Sequence, residues 1–428
     1  MGRPEGIIIG GGAAGLMAAI TAAENGAEVT VLEHMARVGK KILSTGNGKC
    51  NLTNRNLTPA CYRCSTADFP MTAIGRFSVT DTIAFFRRLG VVVTDRNGYV
   101  YPVSGQAQTI LDALREKAES LGVSIVTECE TESIEKKEKG FSVRTSCGLF
   151  GGDFLILAAG SRAAPATGSD GSGYELARAL GHKIVKPLPA LVQLKCQGEF
   201  FRSIAGVRTE AEVSLYTAGR HGELEDLLAS DRGELQLTDY GISGIPVFQV
   251  SRYASEALDR KKRVMAVLDF FPSLGSGDFF SLLKEQREYL PDRMAGSFLN
   301  GIFHKKLAAL FLKAAGIRGE EPVGRLPDKK LQAVTEIAKR TMVEVTAANS
   351  FDKAQVCMGG VRVKEVDPYT MESRLVPGLY FAGEILDVDG ICGGYNLQWA
   401  WTTGYLAGKA AAEKTAAGNK SQRKEKHI

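Results

Sequence analysis

Three glycines near the start of the chain have the spacing of a dinucleotide-binding loop. Residues 10–15 read G-x-G-x-x-G and directly follow the apolar run at residues 6–9. In this pattern the first glycine permits a tight turn, the second lets backbone N–H groups approach a pyrophosphate, and the third allows close helix–strand packing. Glu33 ends the next apolar run, where a carboxylate can accept ribose hydroxyls. The pattern predicts a bound dinucleotide; the alternative is a glycine turn that binds nothing.

Two further segments favour a flavin over a nicotinamide as that dinucleotide. Residues 37–51 form a loop rich in Gly, Asn and Lys, and residues 382–400 run from Ala-Gly-Glu through an acidic residue to a Gly-Gly that opens a helix. The N–H groups of residues 394–396 can face the electron-rich edge of a flavin ring. The residues predicted to hold the cofactor are Gly10, Gly12, Ala13, Ala14, Gly15, Glu33, Lys41, Thr45, Gly46, Asn47, Gly48, Ala159, Gly160, Gly383, Glu384, Asp387, Gly393, Gly394, Tyr395, Asn396 and Leu397.

Changes in hydrophobic periodicity along the chain predict an α/β protein with two inserts. A buried parallel strand is expected at residues 154–160, with a helix-rich stretch before it. Short alternating runs then indicate antiparallel strands, and long helical patterns follow. The predicted domains are a Rossmann-type FAD-binding domain built from both chain ends (1–187 and 347–428), a β-barrel-like insert (188–275 and 341–346) and a helical subdomain (276–340).

Composition and cysteine use predict a cytoplasmic protein that does not enter a membrane. No apolar stretch of the 428 residues reaches the roughly 18 needed to span a bilayer, and the first strand of the nucleotide fold leaves no room for a signal peptide. The eight cysteines are dispersed, which favours a reducing compartment. Cys61 and Cys64 form a lone C-x-x-C without a second pair of ligands, so no metal site is predicted.

Positive charge is concentrated in two regions of the chain. From Lys409 onward, six Lys or Arg face two Glu, a net of +4 out of a total of +5. The tail is either a solvated end or an arm for RNA or membrane phosphates. The basic residues in and near the helical insert either track RNA phosphates or form solvated faces, and they are Arg260, Lys261, Lys262, Arg263, His304, Lys305, Lys306, Arg318, Arg325, Lys329 and Lys330. For an apolar substrate, Phe270, Phe271, Phe279 and Phe280 are candidates to line a cleft or to form core.

These motifs together resemble the BaiN/RdsA family of FAD-dependent oxidoreductases, also called YhiN-like flavoproteins. The resemblance covers nearly the whole chain, and its landmarks are the glycine fingerprint with Glu33 and residues 45–51, 99–104, 238–244, 358–361 and 383–400. Two departures stand out. Residues 159–161 read Ala-Gly-Ser where the family commonly has Thr-Gly-Gly, and Asp239 replaces a histidine.

The resemblance implies a three-part architecture and a flavin that saturates a C=C bond beside a carbonyl. NADH or NADPH is the implied transient reductant, with no nicotinamide-binding domain of its own. One branch resembles synthases that convert uridine to dihydrouridine in large-subunit ribosomal RNA, which is the favoured hypothesis, with the basic insert and tail as RNA contacts. Another is associated with small-molecule enones such as 3-oxo-Δ4 bile-acid intermediates. A flavin-binding protein without turnover is the alternative from another class.

Reduction of an alkene by hydride also needs a group that protonates the adjacent carbon. Cys50 is the first candidate, because its loop must lie close to the cofactor and a thiol carries a usable proton. Cys392 is the second, beside the Gly-Gly turn, and Tyr395 is the third. The structural alternative for each is a small or aromatic packing residue.

Overall fold

The computed structural model describes the backbone of residues 3–425 and the side-chain surroundings of residues 3–418. Within these residues the strands are β1 (Glu5–Ile9), β2 (Glu28–Leu32), β3 (Thr53–Asn54), β4 (Tyr62–Cys64), β5 (Val93–Arg96), β6 (Tyr99–Pro102), β7 (Ser124–Val126), β8 (Thr131–Lys136), β9 (Phe141–Thr145), β10 (Gly148–Gly152), β11 (Phe154–Leu157), β12 (Ile184–Ala190), β13 (Leu194–Cys196), β14 (Arg208–Ala218), β15 (Leu224–Leu237), β16 (Gly241–Gly244), β17 (Arg263–Asp269), β18 (Thr341–Ala348), β19 (Val356–Val361), β20 (Leu379–Phe381) and β21 (Val388–Gly390).

The α-helices of the same residues are α1 (Ala13–Glu24), α2 (Lys40–Ser44), α3 (Phe69–Ile74), α4 (Val79–Arg88), α5 (Ala107–Ser120), α6 (Ser172–Ala179), α7 (Phe201–Ile204), α8 (Ile245–Asp259), α9 (Ser276–Tyr289), α10 (Lys305–Ala314), α11 (Asp328–Lys339) and α12 (Tyr395–Glu425). None of the helices in the described part of the chain is both long and apolar enough to cross a membrane.

The chain divides into two compact units, and the first contains both chain ends. It comprises the residues up to Leu188 and those from Gln355 onward. Its main sheet has the order β20-β11-β1-β2-β7, and all its strand pairs are parallel. The three isoleucines at the end of β1 are buried, as expected for a parallel strand covered on both faces. The predicted Rossmann-type α/β fold is confirmed.

The stretch between β2 and β11 contains more strand than its helical patterns indicate. Besides α2 to α5 it holds the three-stranded sheets β3-β6-β5 and β10-β9-β8. The β5–β6 hairpin turns at Asn97 and Gly98, which have φ of 55° and 92°. An Asn-Gly pair is a strong local signal for such a turn, so this hairpin was detectable in the sequence.

The second unit, Pro189–Ala354, is built around a closed barrel of strands β13-β16-β15-β14-β17-β18. Burial alternates along β17, as the alternating sequence pattern requires. Helices α9 to α11 follow β17 and pack around an aromatic cluster of Phe279, Phe303 and Phe311. Phe270 and Phe279 are both at most 4% exposed, so these two belong to the core.

Helix α12 completes the first unit by packing against α1 at very short range. A Cβ on Gly404 would lie 2.4 Å from the carbonyl oxygen of Ala14, and one on Gly408 would lie 2.3 Å from that of Ala18. Glycines four residues apart share one helix face, so both let the α12 backbone approach α1. A side chain at either position would push the two helices apart.

Replacing Gly404 by Ala should lower the free energy of unfolding of the first unit by about 1–3 kcal/mol, the usual cost of overpacking. The matched control is Gly418→Ala on the same helix, where a Cβ meets nothing within 4 Å and helix propensity favours Ala by less than about 1 kcal/mol. The measurement is urea denaturation followed by tryptophan fluorescence. Both tryptophans of the chain, Trp399 and Trp401, lie on α12 and report this unit. Equal stability of the two variants would contradict the packing argument.

Candidate functional site

Several of the predicted cofactor residues lie at the carboxyl edge of the parallel sheet in the first unit. Four neighbouring strands, β2, β1, β11 and β20, end there, and Glu33, Gly10, Ala159 and Gly383 follow them. The N–H of Gly10 donates to the carbonyl of Leu32 at 2.8 Å, which ties the glycine loop to the end of β2. Ligands of open α/β sheets bind at this edge.

The three glycines of the fingerprint have different surroundings. A Cβ on Gly10 would lie 2.5 Å from the carbonyl oxygen of Ala158, and one on Gly15 would lie 1.9 Å from that of Gly10. A Cβ on Gly12 meets nothing within 4 Å. Gly10 and Gly15 are therefore required by the packing of the protein itself. Gly12 faces open space at the positive end of α1, beside Ala13 and Ala14 of its first turn, where an anion is stabilised.

Glu33 is held rigidly beside this loop. Its side chain is buried, and its two carboxylate oxygens accept hydrogen bonds from the N–H groups of Gly11 and Met35, both at 2.8 Å. A carboxylate has about four acceptor positions, so each oxygen retains capacity for one further donor. This arrangement suits a ribose hydroxyl.

Lys41 and Glu384, both predicted to hold the cofactor, form an ion pair with each other. The Lys41 Nζ lies 2.6 Å from the Glu384 Oε2, and Ser161 Oγ donates to the same oxygen at 3.1 Å. The pair joins α2 to the turn that follows β20. It balances the two charges within the protein and fixes the edge of the cofactor region, including the turn at Ala159 and Gly160.

A second cluster forms where the residue 45–48 loop and the start of α12 meet β3. Gly46, Asn47 and Gly48 all have positive φ, between 54° and 81°. The Asn54 Nδ2 donates to the carbonyl of Gly393 at 2.9 Å, and a Cβ on Gly394 would lie 2.8 Å from the Thr53 carbonyl oxygen. The Gly-Gly turn therefore packs closely against β3, beside the loop of residues 45–48.

Side chains of the α12 first turn and of the preceding strand stabilise this cluster. Asn396 Oδ1 accepts from the N–H of Gly390 and its Nδ2 donates to the Gly390 carbonyl, at 2.8 and 2.9 Å. Asp387 is buried and its N–H donates to Val361. Leu397 is partly buried against the core. The side chain of Asn396 therefore shapes the turn. Contact of Asn396 with a ligand is left to its backbone N–H group.

Asn51 has an unsatisfied acceptor in the same cluster. Its side chain is buried, and its Oδ1 has no hydrogen-bond partner among the described residues. A buried amide oxygen without a donor costs about 1–3 kcal/mol. A bound group that offers an N–H or O–H would remove this cost.

The three predicted proton donors differ in exposure. Cys50 is fully buried, and burial raises the pKa of its thiol to about 12. Tyr395 is buried and donates its hydroxyl hydrogen to the Asn56 carbonyl at 3.0 Å, while burial also raises the pKa of its phenol. Cys392 is half-buried and lies directly before the Gly-Gly turn. Only Cys392 presents part of its surface to solvent beside the cluster.

A cleft of about 320 Å³ opens beside the second cluster. Most of the residues that line it were not predicted as site residues from the sequence. Its walls are Gly46, Asn47, Lys49, Arg96, Tyr99 and Tyr101. Three of these belong to the β5–β6 hairpin. The Asn-Gly turn was a usable signal for the hairpin, but no local pattern indicates that it packs beside residues 46–49.

Several basic residues predicted as a phosphate-tracking surface are engaged within the second unit. Arg260 pairs with Glu256, and Arg263 binds the Glu344 carboxylate with two hydrogen bonds. Lys306 and Lys330 donate to backbone carbonyls, at Ala205 and at Ala315 and Gly316. In the tail, Lys414 pairs with Glu372, whereas Lys420, Arg423, Lys424 and Lys426 lie outside the residues whose side chains are described. The charges of Arg260 and Arg263 are thus balanced by acidic side chains, whereas Lys306 and Lys330 keep their positive charge.

No group of three or more His, Cys, Asp and Glu in the described residues could hold a metal ion. Cys61 and Cys64 are free thiols there.

Comparisons with known proteins identify the family. The HI0933-like protein Rossmann domain matches residues 4–410. A relative from Clostridium scindens named 3-dehydro-bile acid delta(4,6)-reductase is 44% identical, over 95% of this chain and 98% of its own length. A ribosomal RNA dihydrouridine synthase from Haemophilus influenzae is 29% identical, over 94% and 96% of the two chains.

A solved structure shows the same fold at low sequence identity. The 3-ketosteroid delta1-dehydrogenase from Sterolibacterium denitrificans superposes with a TM-score of 0.50 at 11% identity and covers 97% of this chain and all of its own. The family match and the extent of the relatives agree with the resemblance drawn from the motifs. The chain therefore belongs to the HI0933-like family and is an FAD-dependent oxidoreductase.

Proposed function

We propose that the protein reduces a C=C bond conjugated to a carbonyl in a small enone, with NADH or NADPH as the source of electrons. The observation that carries the proposal is the cleft beside the glycine-asparagine loop, whose 320 Å³ is the size of a small-molecule site. The bile-acid reductase at 44% identity supports it. The pairing of Arg260 and Arg263 with acidic side chains lowers the charge available for RNA docking at these two positions of the second unit.

Reduction of uridine in ribosomal RNA is the second candidate. It is supported by the relatives named ribosomal RNA dihydrouridine synthase, which are 29% identical over most of both chains. Uridine has the same chemical feature, a C=C bond next to a carbonyl. The order of the two hypotheses is thus the reverse of the one favoured by the sequence alone.

The residues of the first unit fit a bound FAD. When bound, FAD supplies the hydride chemistry, and the protein supplies binding, orientation and protons. We assign the pyrophosphate to the open space at Gly12, because the α1 N-terminus stabilises negative charge there. Glu33 receives a ribose hydroxyl, and the unsatisfied Asn51 Oδ1 receives a donor of the cofactor. The backbone N–H groups at the start of α12 would hold the edge of the flavin ring.

Gly12→Ala should weaken FAD binding by about tenfold or more without unfolding the protein. Its Cβ enters space that is open in the protein alone, and a clash of 1–3 kcal/mol with the cofactor corresponds to about that factor. The measurement is the FAD dissociation constant of the deflavinated protein, together with its circular dichroism.

The contrasting variant is Gly15→Ala, whose Cβ would lie 1.9 Å from a backbone oxygen. It should lose native circular dichroism or thermal stability even without FAD. Identical FAD affinity in wild type and Gly12→Ala would refute the placement of the pyrophosphate.

Among the three predicted donors, we propose Cys392 as the residue that protonates the substrate. It is half-buried beside the Gly-Gly turn, whereas the Cys50 thiol is fully buried and its pKa is raised to about 12. The Tyr395 hydroxyl donates its hydrogen bond to the Asn56 carbonyl. A donor must come within about 3 Å of the carbon or oxygen that it protonates, so exposure toward the ligand decides between similar groups.

Cys392→Ala should reduce the rate of substrate reduction by about 10²- to 10⁴-fold, the range for a lost general acid, while the rate of flavin reduction by the nicotinamide stays the same. Cys50→Ala is the matched thiol control and should leave both rates within a few-fold of wild type. The two half-reactions are separated by anaerobic stopped-flow absorbance. A large loss in Cys50→Ala alone would instead assign the role to Cys50.

Anaerobic reduction and reoxidation of the holoenzyme tests the function itself. NADH or NADPH should bleach the flavin absorbance, and 3-oxo-4-cholenoic acid should restore it with formation of the saturated product. Dihydrouridine in a large-subunit rRNA fragment, without turnover of the enone, would establish the second candidate. Failure of both nicotinamides to bleach the flavin would favour a binding protein without turnover.

A further inference from the structure

We propose that the cleft beside the Gly-Gly turn is a subsite for an anionic group of the substrate. Lys49 and Arg96 bind a carboxylate or phosphate, and a neighbouring part of the same ligand lies against Tyr99 and Tyr101. The inference rests on the proposed function and narrows its substrate class to enones or pyrimidines that carry a negative charge.

Strand geometry places three of these side chains on one face of the hairpin. Tyr99 and Tyr101 are two residues apart on β6, so they project from the same face. Arg96 of β5 is the direct cross-strand partner of Tyr99 and shares that face. Val100 lies on the opposite face and is fully buried, which shows that the face of the tyrosines is the outer one.

The two cations lack a neutralising partner in the described part of the chain. Lys49 and Arg96 are exposed and form no ion pair there. The nearest acid on the hairpin is Asp95, which projects to the other face and is already bound by Arg55 at 2.9 Å and by the N–H of Gly98 at 3.0 Å. Their positive charge is therefore directed to the cleft rather than cancelled within it.

The two tyrosine rings lie between the loops that are predicted to hold the flavin ring. A Cβ on Gly393 would lie 3.0 Å from Tyr99 Cε1, and one on Gly46 would lie 3.4 Å from Tyr101 Cε1. Tyr99 remains 41% exposed. An exposed aromatic face next to a redox cofactor offers a stacking surface for a flat, unsaturated ring.

Together these groups recognise an anion and a neighbouring ring or apolar face of the same ligand. Arg binds carboxylate and phosphate through charge-assisted hydrogen bonds, and Lys adds a second donor. A bile-acid-type carboxylate and a nucleotide phosphate both supply that chemistry, so the experiment separates the two sources by pairs of ligands that differ only in charge.

The experiment is calorimetric titration of the oxidised holoenzyme with 3-oxo-4-cholenoic acid and its methyl ester, and with uridine 5′-monophosphate and uridine. Wild type is compared with Lys49→Met, with Arg96→Met and with Arg115→Met, an exposed control on α5 that does not line the cleft. FAD content is measured in each variant. Each cleft variant should weaken the charged ligand of one pair by about tenfold to a hundredfold and leave its neutral counterpart unchanged.

The ligand pair that shows the charge dependence identifies the source of the anion. Equal affinities for charged and neutral ligands in wild type, or equal losses in Arg96→Met and Arg115→Met, would overturn the subsite while leaving enone reduction intact. Because binding to oxidised enzyme requires no turnover, absence of reductase activity would count against the proposed function and not against this subsite.

Discussion

The first unit depends on close contacts between backbone segments at the start of α1. Gly15 packs against the Gly10 carbonyl, and Gly404 of α12 packs against the Ala14 carbonyl from the other side. No side chain fits at either position. The N-terminal end of α1 is therefore held between the turn after β1 and helix α12, and its position is set by segments far apart in the sequence.

Helix α12 also carries a buried polar network that fixes the second cluster. In it, both the amide oxygen and the amide nitrogen of Gln398 have hydrogen-bond partners. Gln398 is completely buried; its Oε1 accepts from Thr53 at 2.6 Å, and its Nε2 donates to Thr82 and Thr402. The Trp399 indole N–H donates to the Gly383 carbonyl. Buried polar groups specify one arrangement because any other would leave them unpaired. Helix α12 thus positions both strand β3 and the turn after β20.

Local patterns were enough to predict the glycine loop, the parallel sheet and the strand-rich and helical segments. Each follows from residues close together in sequence, such as Gly10, Gly12 and Glu33. The pair between Lys41 and Glu384 joins residues 343 apart, so no local pattern could indicate that these two predicted cofactor residues contact each other. The burial of Cys50 and the approach of Arg96 to residue 49 also depend on tertiary packing. The assignments of cofactor and donor residues remain predictions.

The insertion of residues 189–354 into the first unit has a consequence for synthesis of the chain. Strand β20 and helix α12, which border the cofactor region, leave the ribosome only after the whole barrel unit has emerged. Domains tend to fold as units while the chain is being made. The barrel unit can fold during translation. The first unit cannot complete its fold until β20 and α12 have been synthesised. We therefore expect binding of the cofactor to follow synthesis of the inserted unit.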